Sequence, residues 1–232
     1  MNPEKRHRIY ATLARANPSP KTELEFSNPF QLLIAVLLSA QTTDKAVNIA
    51  TRRFFPAVKT PQQLVDLGVI KLESNIKTIG LYRNKAKNAI ATAHMLVDQH
   101  GGHVPHDRAA LEALPGVGRK TANVVLNEAF GEATFAVDTH VFRIANRMKL
   151  APGKTVDDVE AKLMKFTPPE FLLHAHHWLI LHGRYTCVAR TPKCGECGVF
   201  DDCEYSGRKK IREAHSVKLL PLASGKDRVA QR

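Results

Sequence analysis

The fold is decided by one stretch of the chain, LPGVGRKTA at residues 114–122. Apolar residues at helical spacing lie before and after it, and Asp107 is a suitable N-cap, so the pattern predicts two short helices joined by a tight turn over about 107–130. Gly116 and Gly118 permit that turn and leave its amides open to an approaching group. Unpaired N–H groups at a helix start favour a phosphate. The stretch is typical of a helix-hairpin-helix that clamps a nucleic-acid backbone, although an ordinary helix-turn-helix corner carries similar glycines.

The charge of the chain indicates what kind of partner it has. Its 232 residues carry a net charge of +12 and a pI of about 9.7, which points to DNA, RNA or an anionic membrane surface. The most apolar run, residues 30–40, is too short to span a bilayer. Residues 1–20 contain no apolar signal segment. We therefore expect a cytoplasmic protein with a nucleic-acid partner and no membrane association.

Helical periodicity runs through most of the sequence, and no sustained alternation of apolar and polar residues predicts a strand. Asn28 followed by Pro29 is a typical helix start, and the following residues 30–40 are apolar on all sides, which predicts a buried helix. Gly68 and Gly80 fall between later helical segments, where helix ends and turns need them. The sequence thus predicts an all-α fold with short loops.

Four cysteines, the only ones in the chain, form a cluster near its C-terminal end. They are spaced as Cys187-x6-Cys194-x2-Cys197-x5-Cys203, and four thiolates at such short separations can surround one metal centre. The spacing alone is compatible with zinc and with a cubane iron–sulphur cluster.

Two basic residues lie between the first two of these cysteines. Arg190 and Lys193 are placed on a loop that a metal centre would hold rigid, where they could reach phosphates.

Lys120 and Asp138 are the candidate catalytic residues. A lysine is unfavourable at the start of a helix, because the helix dipole makes that end positive. The same field favours the neutral, nucleophilic form of the amine. Asp138 follows an apolar run and could relay protons to or from the lysine. The simpler interpretations are a phosphate contact for Lys120 and a helix N-cap for Asp138, and the latter is compatible with a catalytic role.

Several segments together resemble the endonuclease III family of bacterial DNA glycosylases in the helix-hairpin-helix superfamily. Besides the central stretch they are LLSAQTTD at 37–44, IGLY at 79–82, VDTHV at 137–141, HGRYTC at 182–187 and the cysteine spacing, so the resemblance covers residues 1–206. It implies a 4Fe-4S cluster rather than zinc. It also implies two helical lobes with the active site in the cleft between them. One is a six-helix domain at 22–132, and the other is a cluster domain made of 1–21 and 133–206.

The resemblance also implies roles for residues. Lys120 would attack C1′ of a damaged nucleotide and form a Schiff base, after which β-elimination cuts the strand on the 3′ side, and Asp138 would assist. Gln41 and Leu81 match the residues that enter the duplex from the minor groove when the nucleotide rotates out of the stack. Gly116, Gly118 and Arg119 belong to the DNA-binding hairpin. The implied substrates are oxidised pyrimidines in double-stranded DNA, and we expect a monomer at the bacterial nucleoid.

Other functions are less consistent with these residues. An adenine-mismatch glycosylase of the same superfamily lacks the hairpin lysine and carries a further C-terminal domain, whereas an 8-oxoguanine glycosylase typically lacks the four cysteines. A non-catalytic hairpin module does not explain Lys120 with Asp138, and a zinc transcription factor needs a basic recognition helix that the sequence does not show.

The remaining segment, residues 207–232, lies outside the resemblance. It holds eight basic residues against two acidic ones, half of the chain's net charge, which predicts a disordered basic tail that adds non-specific DNA affinity.

Overall fold

The computed structural model describes residues 1–219 and the side chains of residues 1–214. This part of the chain is all-helical, which confirms the predicted fold class. The α-helices are α1 (Pro3–Ala16), α2 (Pro29–Leu38), α3 (Asp44–Thr51), α4 (Pro61–Leu67), α5 (Val69–Ile76), α6 (Tyr82–His100), α7 (Arg108–Glu112), α8 (Arg119–Phe130), α9 (Thr139–Arg147), α10 (Val156–Phe166), α11 (Leu172–Tyr185) and α12 (Arg208–Leu219). Short 3-10 turns cover Pro169–Phe171 and Cys194–Glu196.

Side-chain caps fix several of the helix starts. Asn28 accepts a hydrogen bond from the Gln31 amide at 2.9 Å, and Asp107 accepts one from the Ala110 amide at 2.8 Å. Each satisfies an amide that has no partner within the helix. Both residues act as the N-caps that the sequence predicted.

The apolar side chains form two separate cores. Helices α2 to α8 enclose the first, in which the central helix α2 is buried on nearly every face. Helix α1 and helices α9 to α11 enclose the second, joined by apolar residues of the cysteine segment. The chain therefore has two helical lobes, and the second unites the N-terminal helix with the C-terminal third.

A helix replaces the first part of the predicted disordered tail. Residues 208–219 form α12, which packs against the 3-10 turn at Cys194–Glu196. The guanidinium groups of Arg208 and Arg212 lie 5.7 and 4.4 Å from the centre of the Phe200 ring. Cation–π contacts of this kind let a highly charged helix cover an apolar surface, which charge counting does not anticipate. The prediction is wrong for these residues, and 220–232 lie outside the described residues.

Among the described helices, none is long and apolar enough to cross a bilayer.

Candidate active site and metal centre

The hairpin turn lies between α7 and α8 and is anchored to α6. The Thr92 hydroxyl donates a hydrogen bond to the Pro115 carbonyl at 2.9 Å, and Val117 is buried beneath the turn. Gly116 has a φ of +77°, and a Cβ built there would lie 2.6 Å from Asn88 Nδ2. Gly118 differs, because its backbone is extended at φ −99° and a Cβ there would meet nothing within 4 Å. The fold requires the first glycine, whereas the second keeps the start of α8 open.

Lys120 and Asp138 face one cleft between the two lobes. Lys120 is an exposed residue in the first turn of α8. Asp138 is the N-cap of α9, and its Oδ1 accepts hydrogen bonds from the His140 and Val141 amides, both at 2.8 Å. Within the described residues neither side chain takes part in an ion pair, and the second oxygen of Asp138 accepts no hydrogen bond. The N-cap role therefore leaves a carboxylate oxygen available beside an available amine.

The cleft consists of an outer groove and a deeper recess. The groove has a volume of about 1430 Å³ and the recess one of about 540 Å³, and Lys120 and Asp138 line both. Arg184 of α11 bridges the lobes at this point, since it pairs with Glu23 and also with Asp44 at the start of α3 at 2.6 Å. Arg184 lies in the HGRYTC segment, but no pattern in the sequence marks it as a bridge between the lobes. This bridge fixes how far apart the walls of the cleft stand.

A buried histidine pair forms the inner wall of the recess. His176 Nδ1 accepts a hydrogen bond from the Ala136 amide at 3.3 Å, which supports the segment that leads to Asp138. Burial lowers the pKa of His176 well below its ordinary value, and the positive charges of neighbouring His177, Lys120 and Arg184 lower it further. His176 is therefore neutral and acts as an acceptor.

Arg119 is engaged inside the protein. Its guanidinium donates two hydrogen bonds of 2.9 Å to Glu160 of α10, whose side chain is only 7% exposed. Arg108 stands 3.9 Å from the same carboxylate. This bidentate pair joins the hairpin to the second lobe, a contact across 41 positions that sequence reasoning missed. The predicted DNA contact of Arg119 stays a prediction.

Gln41 and Leu81 share an unusual backbone. Their φ values are +54° and +57°, in a left-handed region that costs a side-chain-bearing residue about 1–2 kcal/mol. Leu81 is 62% exposed, and Gln41 is exposed at the rim of the groove. An exposed leucine in a strained conformation is not explained by packing, and such residues cluster at functional sites.

The four cysteines line one cavity and form no disulfide bond. Four cysteine side chains around one cavity supply the four thiolate ligands that a 4Fe-4S cluster takes, so the residues present fit that group.

The surroundings of the cysteines support this interpretation. Burial raises the pKa of Cys197 to about 11 and also raises those of Cys194 and Cys203, so a cationic centre is needed to keep them as thiolates. Arg147 lies 3.5 Å from Cys187 Sγ, and Arg208 of α12 lines the same cavity. These cations balance the negative charge of a thiolate-bound cluster.

The loop between the first two cysteines is held by α9. Arg147 donates hydrogen bonds of 2.8 Å to the carbonyls of Val188 and Ala189. Arg190 and Lys193 are both exposed on this loop. The structure thus presents them on a fixed segment, as their predicted contact with phosphates requires.

Comparisons with known proteins agree with this architecture. Residues 34–169 match the family described as HhH-GPD superfamily base excision DNA repair protein, and residues 187–203 match the iron-sulfur binding domain of endonuclease III. Endonuclease III of Escherichia coli (strain K12) is 60% identical over 211 residues, which are 91% of this chain and all of the relative. Endonuclease III of Haemophilus influenzae is 59% identical over 205 residues, 88% of this chain and 97% of the relative.

A solved structure of a trapped endonuclease III–DNA covalent intermediate superposes with a TM-score of 0.84. It is 43% identical and covers 91% of this chain and 100% of its own. A non-covalent endonuclease III–DNA complex gives the same TM-score and identity, with 99% of its chain covered.

The fold and the two sites define a helix-hairpin-helix base excision DNA repair enzyme with an iron–sulphur domain. The chain belongs to the endonuclease III family. It is therefore a DNA glycosylase with abasic-site lyase activity that carries a 4Fe-4S cluster. These results confirm the fold, activity and cofactor that the sequence predicted.

Proposed function

We propose that this enzyme removes oxidised pyrimidines from double-stranded DNA, with Lys120 as the nucleophile and Asp138 as its acid–base partner. The observation that carries the proposal is that these two residues face one cleft while neither is paired with another side chain. A nucleophilic lysine needs an available nitrogen, and a proton-transfer group needs a free oxygen nearby.

The reaction follows from these two groups. The neutral Lys120 amine attacks C1′, the bond from C1′ to the damaged base breaks, and the base leaves with the bonding electrons. Loss of the amine proton and opening of the sugar ring give the imine. Removal of a C2′ proton then breaks the C3′–O bond, which cuts the strand on the 3′ side. Asp138, through its free oxygen, accepts and returns protons during these steps.

The DNA is held around the cleft. Gly116 and Gly118 expose the hairpin amides to one phosphate, with Arg119 adjacent to them. Arg190 and Lys193 extend the contact along the backbone, while Gln41 and Leu81 enter the minor groove as the damaged nucleotide rotates out. The DNA complexes of the two endonuclease III structures support a DNA partner for this chain.

The cluster is held by Cys187, Cys194, Cys197 and Cys203. When bound, it supplies structure to a segment with few apolar residues of its own. We assign the domain that contains the helix-hairpin-helix to residues 22–132 and the cluster domain to 1–21 with 133–206, so the active site lies in the cleft between them. We also propose that the enzyme acts as a monomer in the cytoplasm, at the nucleoid.

Strand cleavage by matched variants tests this function. We expect wild type to release the base from a thymine glycol duplex and cut 3′ of the site. Lys120→Gln is expected to bind that duplex without cutting it, and Asp138→Asn to cut at least about a hundredfold more slowly, the usual size of an acid–base contribution. Undiminished cleavage by Lys120→Gln would refute the nucleophile. An A·G mismatch duplex is the substrate control, and preference for it would refute the substrate class.

A further inference from the structure

The two residues proposed to enter the duplex lie on loops from different parts of the first lobe. Gln41 follows the end of α2, whereas Leu81 is the N-cap residue of α6, and both have left-handed backbones. Two such loops can act on one base pair only if their separation is fixed. The contacts between them therefore matter to the reaction even though neither loop carries the chemistry.

Lys85 connects these loops. Its amide donates a hydrogen bond to the Leu81 carbonyl at 3.1 Å, which closes the first turn of α6. Its ammonium donates a hydrogen bond of 2.7 Å to the hydroxyl of Thr42, the residue after Gln41. Thr42 is itself attached to the end of α2, because its amide donates to the Ser39 carbonyl at 2.9 Å. One residue thus reaches both loops, through its backbone on one side and its side chain on the other.

The burial of Lys85 is unusual for a lysine. The residue is only 5% exposed, and burial lowers its pKa. Within the described residues it forms no ion pair with a carboxylate, and the Thr42 hydroxyl is its side-chain hydrogen-bond partner. Buried lysines are rare unless they are paired. A leucine or methionine would fill the same space at no desolvation cost, so packing alone does not explain the residue.

We propose that Lys85 is a positioning residue that holds the Gln41 and Leu81 loops at one separation, so that both side chains enter the duplex together. The proposal rests on the proposed function, since it takes Gln41 and Leu81 as the entering residues. Lys85 acts through its bond to Thr42 and takes no part in the chemistry at Lys120. Its loss is therefore expected to impair extrusion of the nucleotide and to spare the bond-breaking steps.

Single-turnover kinetics on two duplexes separate these steps. One duplex carries thymine glycol opposite adenine, and the other carries it opposite an abasic-site analogue, where the lesion is already unpaired. We expect Lys85→Met to slow base release about tenfold on the paired duplex, the loss expected for one hydrogen bond from a charged group. On the unpaired duplex we expect less than a twofold change. Lys85→Arg is expected to restore part of the rate.

The pair with Thr42 supplies an independent test. Thr42→Val removes the acceptor with little change in volume. It is expected to slow base release from the paired duplex as much as Lys85→Met does. The double variant is expected to be no slower than either single one, because all three lack the same contact. Lys87→Met, an exposed lysine two positions away on α6, is the control for loss of charge and is expected to match wild type on both duplexes.

The outcomes distinguish this inference from the proposed function. Equal slowing of Lys85→Met on both duplexes, or additive effects of the Lys85 and Thr42 changes, would overturn the positioning role. Leu81→Ala is measured beside them. If Leu81→Ala releases the base slowly from the paired duplex but Lys85→Met does not, the positioning role alone is wrong. If Leu81→Ala matches wild type there, the entry of Leu81 itself is wrong, and the positioning role falls with it.

Discussion

The two glycines of the hairpin are predicted to respond differently to substitution by alanine, since Gly116→Ala should lower stability and Gly118→Ala should lower DNA affinity. At Gly116 an alanine must adopt φ +77°, which costs about 1–2 kcal/mol. Its Cβ would also stand 2.6 Å from Asn88 Nδ2, and moving a half-buried side chain adds about 1 kcal/mol. Gly116→Ala is therefore expected to lose about 2–3 kcal/mol of unfolding free energy. In a chain of this length that is a fall of about 4–12 °C in melting temperature.

At Gly118 an alanine meets open space in an extended backbone. Alanine restricts the unfolded chain more than glycine does, which stabilises the folded state by about 0.4–1 kcal/mol. Alanine is also a poorer N-cap than glycine, and this offsets a similar amount. We therefore expect its stability to change by less than about 0.5 kcal/mol. The new methyl group stands at the amides that we propose to face a phosphate, so DNA affinity is expected to fall.

Thermal unfolding followed by circular dichroism and fluorescence anisotropy at several salt concentrations measure both quantities for both variants. Wild-type DNA affinity in Gly118→Ala would refute the phosphate site at the hairpin. Wild-type stability in Gly116→Ala would refute the packing argument for the turn.

Three further predictions concern other parts of the chain. Arg119→Ala leaves the buried Glu160 carboxylate with Arg108 as its neighbouring cation. Because the lost guanidinium is half exposed, we expect the free energy of unfolding to fall by about 2 kcal/mol. Adding Glu160→Gln is expected to restore part of the urea midpoint, and an unchanged midpoint in the single variant would contradict the pairing. The pKa of His176 is lowered in the folded protein, so below about pH 6.5 the unfolded chain binds a proton that the folded chain does not. The free energy of unfolding is therefore expected to decline by about 1.4 kcal/mol for each pH unit below that value. Urea midpoints at pH 7.5 and 5.5 test this, and His176→Gln must show a smaller decline. Deletion of residues 220–232, which leaves α12 in place, is expected to weaken DNA binding and lower its salt slope while cleavage persists, and an unchanged slope would show that this segment does not touch DNA.

Short-range patterns predicted much of this molecule. The hairpin follows from two glycines and a helix start within one stretch, and the N-caps follow from Asn28 and Asp107, because these features depend on neighbouring residues. The cysteine centre follows from ligand spacing for the same reason. The sequence also predicted helices throughout, since the spacing of apolar residues along one helix can be identified without knowing which other helix packs against it.

The features that sequence reasoning missed depend on contacts between distant residues. Arg119 pairs with Glu160 and Arg184 bridges Glu23 and Asp44, and no local pattern marks these partners. Charge counting predicted disorder after residue 207, whereas arginines of α12 stack on the Phe200 ring.

The sequence also did not predict the left-handed backbone of Leu81. A leucine gives no sign that its loop holds it at φ +57°. Resemblance to a family marked the residue, and the structure supplied its conformation and its exposure.

The central claim is that Lys120 forms an imine with the sugar, and sodium borohydride tests it most directly. Borohydride reduces an imine to a stable amine, so the enzyme becomes covalently attached to the DNA. With a duplex containing one thymine glycol, we expect a trapped adduct with wild type, and peptide mapping is expected to place the attachment on Lys120. Lys120→Gln is expected to give no adduct although it binds the same duplex. An adduct with Lys120→Gln, or none with wild type despite tight binding, would contradict the account.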